Sequence, residues 1–283
     1  MARGLSGVVV ACALVYTAAL LAVPLPQDKV VVLDIGQGDS ILIQSGTEQV
    51  LVDGGPGMDV LSRLAEEMPW FDRTVDVLLL THPQLDHQEG LLHILERYRV
   101  GLVVLPQLAS SAQLQRVWIS MLLARHIPYR FAWYGEQVQL ADATIHLLAP
   151  FAGEVATIAQ KNLNDGAVVA RVDMHGRSFL LTSDIEAPAE HILLSLVPKE
   201  LLDVDVLKVG HHGSKTSTTP ALLTATSPSA AVISVGAGNP FGHPHQQTLD
   251  RLRNANIPVW RTDQRGSVRF LWERGAWLVQ TQR

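Results

Sequence analysis

The chain has 283 residues, 47% of them apolar and 17% charged, enough for one large core or at most two small ones; a disordered chain, a collagen-like repeat and a disulfide-stapled miniprotein are excluded. A single cysteine, Cys12, excludes an intramolecular disulfide and a thiolate metal cluster, and leaves 11 histidines and 27 acidic residues as the supply of metal ligands. The net charge of −5 is uneven: residues 1–200 carry 13 basic and 22 acidic side chains (−9) and residues 201–283 carry 9 and 5 (+4), which points to an anionic partner for the C-terminal part.

The chain opens with Leu5–Val23, 19 residues without a charge, closed by Pro24 and Pro26. The run has the ~20-residue length of a transmembrane helix, exceeds the roughly 7–15 residues of a secretory h-region, and ends without a clear small-x-small cleavage site. Residues 1–27 are therefore expected to form one transmembrane helix with a short Pro-containing linker, an uncleaved signal-like segment being the alternative. Arg3 ahead of the run gives a slight inside-positive bias, which places residues 28–283 outside the cytoplasm.

Residues 28–283 contain no linker, repeat or charge run and read as one domain. Strand-like apolar runs recur at 30–33, 41–43, 50–52, 75–80, 100–105, 145–148, 168–172, 179–181, 204–209, 231–235, 259–260 and 268–272, and helical periodicity at 58–68, 90–98, 114–126, 187–196 and 247–254. The runs 75–80 and 204–209 lack polar alternation, as strands covered on both faces do. So many strands, with helices that cannot share one face, predict an α/β fold of two packed sheets with helices outside.

Several runs end in polar clusters, where a rigid strand end opens to a cleft. The run 75–80 is followed by Thr81-His82-Pro83-Gln84-Leu85-Asp86-His87, with imidazole and carboxylate groups of the kind that suit zinc or manganese. The run 204–209 leads into Gly210-His211-His212-Gly213-Ser214-Lys215, and 179–181 into Thr182-Ser183-Asp184. Asp34 to Ser40 and Asp53-Gly54-Gly55 form glycine-rich turns without P-loop or dinucleotide spacing. Gly242-His243-Pro244-His245 is a helix-leading turn or a further ligand source. Strand ends that each deliver His or Asp describe a dinuclear metal site assembled from several loops.

In order, DIGQGDS, LVDGG, THPQLDH, LTSD, LKVGHHGSKTS and NPFGHPH closely resemble the metallo-β-lactamase-like domain of the ComEC family of competence proteins, over about residues 30–245. The apolar segment ahead of them resembles the last transmembrane helix of that family's DNA channel, the rest of which has no counterpart in the sequence. The resemblance implies an αββα sandwich holding one or two Zn²⁺ or Mn²⁺ ions. By position, His82 matches the first metal's histidine, Asp86 and His87 the second metal's pair, Asp184 the bridging aspartate, and either His211 or His212 the last ligand, the other contacting substrate or moving a proton. Asp34 and Asp53 match early aspartates that orient ligands and turns. Gln84 departs from the pattern, standing where the family has aspartate and the superfamily histidine. Asn162 and Asn164 fall where many relatives have another histidine. The first metal position is thereby weakened, while Asp86, His87, Asp184 and a histidine of 211/212 complete the second.

The implied activity is metal-dependent hydrolysis of a phosphodiester, as a nuclease acting on DNA during natural transformation. Asp86, His211, His212 and Lys215 form the expected catalytic group. Lys215, Ser214, Thr216 and Ser217 are expected anion contacts, and His243 and Gln84 supporting groups. Arg251, Arg253, Arg261, Arg265 and Arg269 offer a backbone-binding surface, and Trp260, Trp272 and Trp277 either stack bases or pack inside. The expected partners are DNA, the bacterial cell membrane and a separate channel subunit. The alternatives are a stand-alone hydrolase of another phosphodiester and a catalytically degenerate domain that binds DNA or a protein partner.

Overall fold

Alternation sets the architecture. In the computed structural model, which describes residues 27–108, 113–151 and 162–283, Val30 and Val32 face one side of the first strand and Val31 and Leu33 the other, and all four are buried. Strands apolar on both faces need cover on both faces. Two sheets packed face to face supply it on the inside and helices supply it on the outside.

In chain order the elements are β1 (Lys29–Val32), β2 (Ile41–Ser45), β3 (Glu48–Val52), α1 (Asp59–Glu67), β4 (Thr74–Leu79), α2 (Leu85–Arg97), β5 (Arg99–Leu105), α3 (Gln113–Ala124) and β6 (Tyr129–Phe131). There follow β7 (Gln137–Gln139), β8 (Ala143–Ala149), β9 (Val169–Met174), β10 (Arg177–Leu181), α4 (Ala187–Leu196), α5 (Lys199–Leu202) and β11 (Val206–Lys208). Last come α6 (Pro220–Thr226), β12 (Ala230–Ile233), α7 (Gln246–Asn254), β13 (Val259–Arg261), α8 (Thr262–Arg265), β14 (Val268–Glu273) and β15 (Ala276–Thr281).

The first sheet runs β15-β14-β1-β2-β3-β4-β5-β6 and the second β13-β12-β11-β10-β9-β8-β7. Val32, Ile43, Val52 and Leu79 of the first meet Ile145, Val172, Phe179 and Val232 of the second in the central core. A second core lies between the first sheet and α1–α3, through Leu51, Leu78, Leu64, Leu91 and Trp118. A third, through Leu180, Leu207, Leu193, Leu222 and Leu252, joins the second sheet to α4, α6 and α7. The result is the expected αββα sandwich. β3 to β6 are mutually parallel, as are β10 to β13.

The transmembrane expectation falls on residues outside those described; among the described residues no helix is long and apolar enough to cross a membrane. The helix expected from Gly90 starts five residues earlier, at Leu85, so Asp86 and His87 sit in its first turn rather than in a loop. Its positive end favours a carboxylate such as Asp86 there.

Two close backbone approaches hold the site's turns against α2. Asp39 N–H donates to Asp86 O at 3.2 Å and Gly54 N–H to His87 O at 2.8 Å. At Gly38, with φ +139°, an added Cβ would stand 2.1 Å from the Asp86 carbonyl oxygen. Gly38→Ala is therefore expected to destabilise the fold by at least ~2 kcal/mol, measured by urea unfolding. A change within ±0.5 kcal/mol would show that the turn does not dock as described.

Candidate metal centre

The ends of β3, β4, β10, β11 and β12 and the turn between β1 and β2 meet at one margin of the two sheets. Asp53 follows β3, Thr81-His82 follow β4, Ser183-Asp184 follow β10, Lys208 ends β11 with His211-His212 beyond it, Ser234 follows β12, and Asp39 comes from the turn. Several of these residues have a strained backbone: Asp53, Ser183, His211 and His212 adopt φ of 58°, 49°, 47° and 52° without being glycine. Left-handed conformations of this kind persist where the surroundings over-determine them. Two consecutive such residues turn the chain so that His212 points inward while His211 stays at the mouth, about a quarter exposed.

One ligand atom from each of Asp86, His87, Asp184 and His212 lies within 4.8 Å of the other three. His87 Nε2 is 3.3 Å and His212 Nε2 3.2 Å from Asp184 Oδ2, and His212 Nε2 is 3.5 Å from Asp86 Oδ2. None of these contacts completes a hydrogen bond. His82 Nε2, His87 Nε2, His212 Nε2 and both Asp184 oxygens are buried with no hydrogen-bond partner. Unpaired buried polar atoms are costly, and here they face one another.

The other ring nitrogens are held. His87 Nδ1 lies 2.7 Å from Asp53 Oδ2, and His212 Nδ1 2.9 Å from the Ser234 carbonyl oxygen. Acceptors at both Nδ1 positions assign the proton there and turn Nε2 toward the cluster. Thr81 donates to Asp53 through its N–H at 2.8 Å and its hydroxyl at 2.7 Å, and Ser183 Oγ donates to Thr81 Oγ1 at 2.7 Å.

Lys208 is the buried counter-charge. Its ammonium pairs with Asp39, donates to the Ser183 carbonyl at 3.0 Å and stands 3.7 Å from Asp184 Oδ1. Burial, the largest single influence, opposes the charge on Asp39, but the Lys208 ammonium together with His212 and His87 lowers the carboxyl pKa. Burial likewise opposes a charge on His87, yet Asp184 and Asp53 hold its pKa well above the usual imidazole value. Asp184 and Asp39 do the same for His212. The carboxylates thus demand positive charge at the imidazoles, the demand a divalent cation meets. His82, with burial the largest cause and His87 adding to it, is pushed down to about 3. The donor set, neutral imidazole nitrogens and carboxylate oxygens around a common point, fits a hard or borderline divalent ion.

A different surrounding meets the expected first metal position. Gln84 Nε2 donates to Asn164 Oδ1 at 2.5 Å, one hydrogen bond joining two neutral amides; Asn164 Nδ2 is 3.5 Å from His211 Nε2. Asn162 caps the turn before Asn164, accepting from its N–H at 3.2 Å, and supplies no group to the cluster. His211 Nδ1 lies 3.0 Å from Glu186 Oε1 and its Nε2 3.9 Å from Asp184 Oδ2. The His243 ring is 5.4 Å from that of His211, and burial, with His211 next, lowers its pKa to about 4.

The structure separates other expected residues from this centre. Asp34 pairs with Arg283 at 2.9 Å and Arg63 at 3.9 Å instead of orienting a ligand; Asp39, five residues on in the same turn, reaches His212 at 3.4 Å. Lys215 is exposed and the Ser214 hydroxyl is joined to Thr216 at 2.8 Å, because the chain leaves the centre at Gly213. The basic side chain at the centre is Lys208. Arg251 is spent on the carbonyls of Lys215, Ser217 and Thr218, Arg261 on Asp263 and Arg269 on Glu67, so these three do not form an open basic surface; Arg253 pairs with Asp250 but is 71% exposed, and Arg265 is exposed. Trp272 stacks on His175, Trp260 meets Phe270 and Trp277 meets Phe179, which makes all three packing residues. Asp39, Lys208 and Glu186 were not singled out in the sequence. Asp39 and Lys208 stand inside quoted motifs, and Glu186 two residues after Asp184.

Fold and site together define a metallo-hydrolase architecture. The chain belongs to the metallo-beta-lactamase superfamily, whose family model matches residues 33–237. Among curated proteins it is similar to ComE operon protein 3 of Bacillus subtilis (strain 168), with 28% identity over 270 residues covering 87% of this chain and 33% of that protein. Recombination protein 2 of Haemophilus influenzae is 33% identical over 248 residues, covering 86% and 29%, and competence protein ComA of Neisseria gonorrhoeae 29% over 267 residues, covering 93% and 34%. These relatives are ComEC-family competence proteins, and the chain spans about a third of their length. Solved structures share the fold: the metallo-beta-lactamase fold protein YhfI of Bacillus subtilis (TM-score 0.55, 15% identity, covering 87% of this chain and 99% of that one) and Igni18, a metallo hydrolase of Ignicoccus hospitalis (TM-score 0.56, 14%, 87% and 100%).

Proposed function

We propose that the protein is a metal-dependent phosphodiesterase that cleaves DNA during its uptake, tethered to the cell membrane by residues 5–23 with the hydrolase domain outside the cytoplasm, beside a channel subunit. The observation that carries the chemistry is the cluster of Asp86, His87, Asp184 and His212, with buried nitrogens and oxygens unpaired and facing one another. Support for DNA comes from the similarity to proteins named for competence and recombination. Support for the tether is the uncharged 19-residue run.

These four residues would hold one divalent cation, Zn²⁺ or Mn²⁺, which supplies Lewis acidity toward a phosphoryl oxygen and acidifies water at neutral pH. The protein's own groups do the rest. Asp53 and the Ser234 carbonyl fix the imidazoles of His87 and His212, and Lys208 offsets the charge of Asp39 and Asp184. His211, steered by Glu186 and partly open to solvent, is placed to pass a proton to the leaving oxygen. The neutral amides of Gln84 and Asn164, joined by one hydrogen bond, offer no charge to a second cation, so the reading is of one ion per chain.

The test is elemental analysis of the purified protein together with hydrolysis of single-stranded DNA and of a chromogenic phosphodiester in Mn²⁺ or Zn²⁺. About one ion per chain is expected, with chelator-sensitive DNA cleavage, and Gln84→Asp is expected to raise the count toward two. Faster turnover of the chromogenic ester with DNA left intact would replace DNA by another phosphodiester. The same amide pair favours a competing reading, a domain that binds DNA without cutting it; a folded protein with no bound metal and no cleavage would establish that one.

A further inference from the structure

The loop of residues 236–245, between β12 and α7, is fixed at both ends on segments that build the metal centre. Gly236 N–H donates to Gln37 Oε1 at 3.2 Å, in the turn that carries Asp39. His245 N–H donates to the Gly213 carbonyl at 2.9 Å, one residue beyond His212. The approach there leaves no room for a side chain: at Gly213, with φ +85°, an added Cβ would stand 2.5 Å from Pro244 Cβ. Between these anchors Asn239 pins the tip. Its Nδ2 donates to the Gly236 and His243 carbonyls at 2.9 and 2.6 Å, and its Oδ1 accepts from the Phe241 and His243 N–H groups at 3.2 and 3.0 Å. What this pinned loop holds out is Phe241, which is 60% exposed. Its ring stacks on that of His243, with centroids 5.9 Å and planes 29° apart, and the His243 ring lies 5.4 Å from His211 and 6.5 Å from His212. One face of the phenyl ring thus rests on an imidazole and the other is open to solvent. Single exposed apolar side chains are common on protein surfaces. This one is held in place by an amide that makes four hydrogen bonds, and only the His243 ring stands between it and the imidazoles of the centre.

We infer that Phe241 is a stacking platform for a nucleobase of the bound strand, and that the chain takes single-stranded in preference to duplex DNA. An open aromatic face gains by covering itself with a flat base, and a base gains equally by leaving water. In a duplex the faces of each base are already covered by its neighbours, so a base reaches Phe241 only after unstacking and unpairing, at a cost that a single strand does not meet. Every base has a π-face, so the platform reads strandedness and not sequence. The rigidity supplied by Asn239 matters here, because a ring already held in place loses little freedom when a base settles on it. The choice of DNA as ligand rests on the phosphodiesterase reading; the pinned loop and its open ring do not.

The experiment is fluorescence anisotropy of the full chain, in excess chelator, with a labelled single-stranded oligonucleotide, the same strand in a duplex, and an abasic strand of equal length. Chelator stops metal-dependent cleavage, so a chain that binds the single strand through Phe241 without ever cutting it leaves this inference standing while the phosphodiesterase reading falls. The single strand is expected to bind about tenfold or more tightly than the duplex or the abasic strand. Phe241→Ala is expected to weaken the single strand by about tenfold, the scale of one stacked base, and to leave the other two ligands and urea unfolding unchanged. Phe241→Trp is expected to keep full affinity, since the larger ring also stacks. No binding of the single strand, equal affinity for single strand and duplex, indifference to Phe241→Ala, or an equal loss on the abasic strand would overturn the inference.

Discussion

Asp184→Asn is expected to lose metal and hydrolysis together, each by at least ~100-fold, with the fold retained. Asp184 is the point on which the cluster converges: its Oδ2 is 3.3 Å from His87, 3.2 Å from His212 and 3.9 Å from His211, and neither of its oxygens is engaged in a hydrogen bond. An amide keeps the shape but offers one neutral oxygen in place of a shared anion. Removing a group that only orients a ligand costs about 10–100-fold in metal affinity or activity, so a group that faces the ion directly sets a higher floor. Asp53→Asn supplies the comparison, because Asp53 touches His87 only from behind, at Nδ1. Its loss of metal affinity is expected to be smaller, within ~10–100-fold. Metal content after dialysis and initial rates on DNA read both variants. An Asp184→Asn protein that keeps its metal and its rate would remove Asp184 from the centre.

Lys208→Met is expected to cost ~3–5 kcal/mol of stability. The ammonium is buried against Asp39, the Ser183 carbonyl and Asp184. Burial by itself would lower the lysine pKa, but the carboxylates of Asp39 and Asp184 raise it above its ordinary value. Without the ammonium, two buried carboxylates face each other's field unscreened. Lys208→Met/Asp39→Asn should recover at least half of the loss, since one of those charges leaves with it. Lys215→Met is the exposed counterpart and should change stability by less than about 0.5 kcal/mol. Urea unfolding measures all three. A Lys208→Met loss below ~1 kcal/mol would show that the ammonium is not what balances Asp39.

The sandwich was legible in the sequence because its central strands are apolar on both faces, and such strands admit few arrangements. Elements at the margins were not. β7, Gln-Val-Gln, has a single buried apolar residue, and β15 is an edge strand with mostly exposed side chains. Neither carries enough buried surface to leave a pattern. The start of α2 was missed for another reason: its first turn consists of site residues whose polarity hides the helical period.

The sequence by itself determined which residue types reach the metal centre, because imidazoles and carboxylates at the ends of buried strands have few other uses, and it also determined that Gln84 breaks the pattern. Only the tertiary structure chose among them. His211 and His212 are adjacent and chemically identical. What turns His212 inward to Asp184 is a left-handed pair of backbone angles and the Ser234 carbonyl, a partner 22 residues away. Asp34 and Asp39 share one turn, and Lys208 and Lys215 one motif. Burial beside Asp184 selects Asp39 and Lys208, while Arg63, Arg283 and solvent take the others. Spacing along a chain fixes which groups are near in sequence; which of them lose water and meet each other is fixed by how two sheets close.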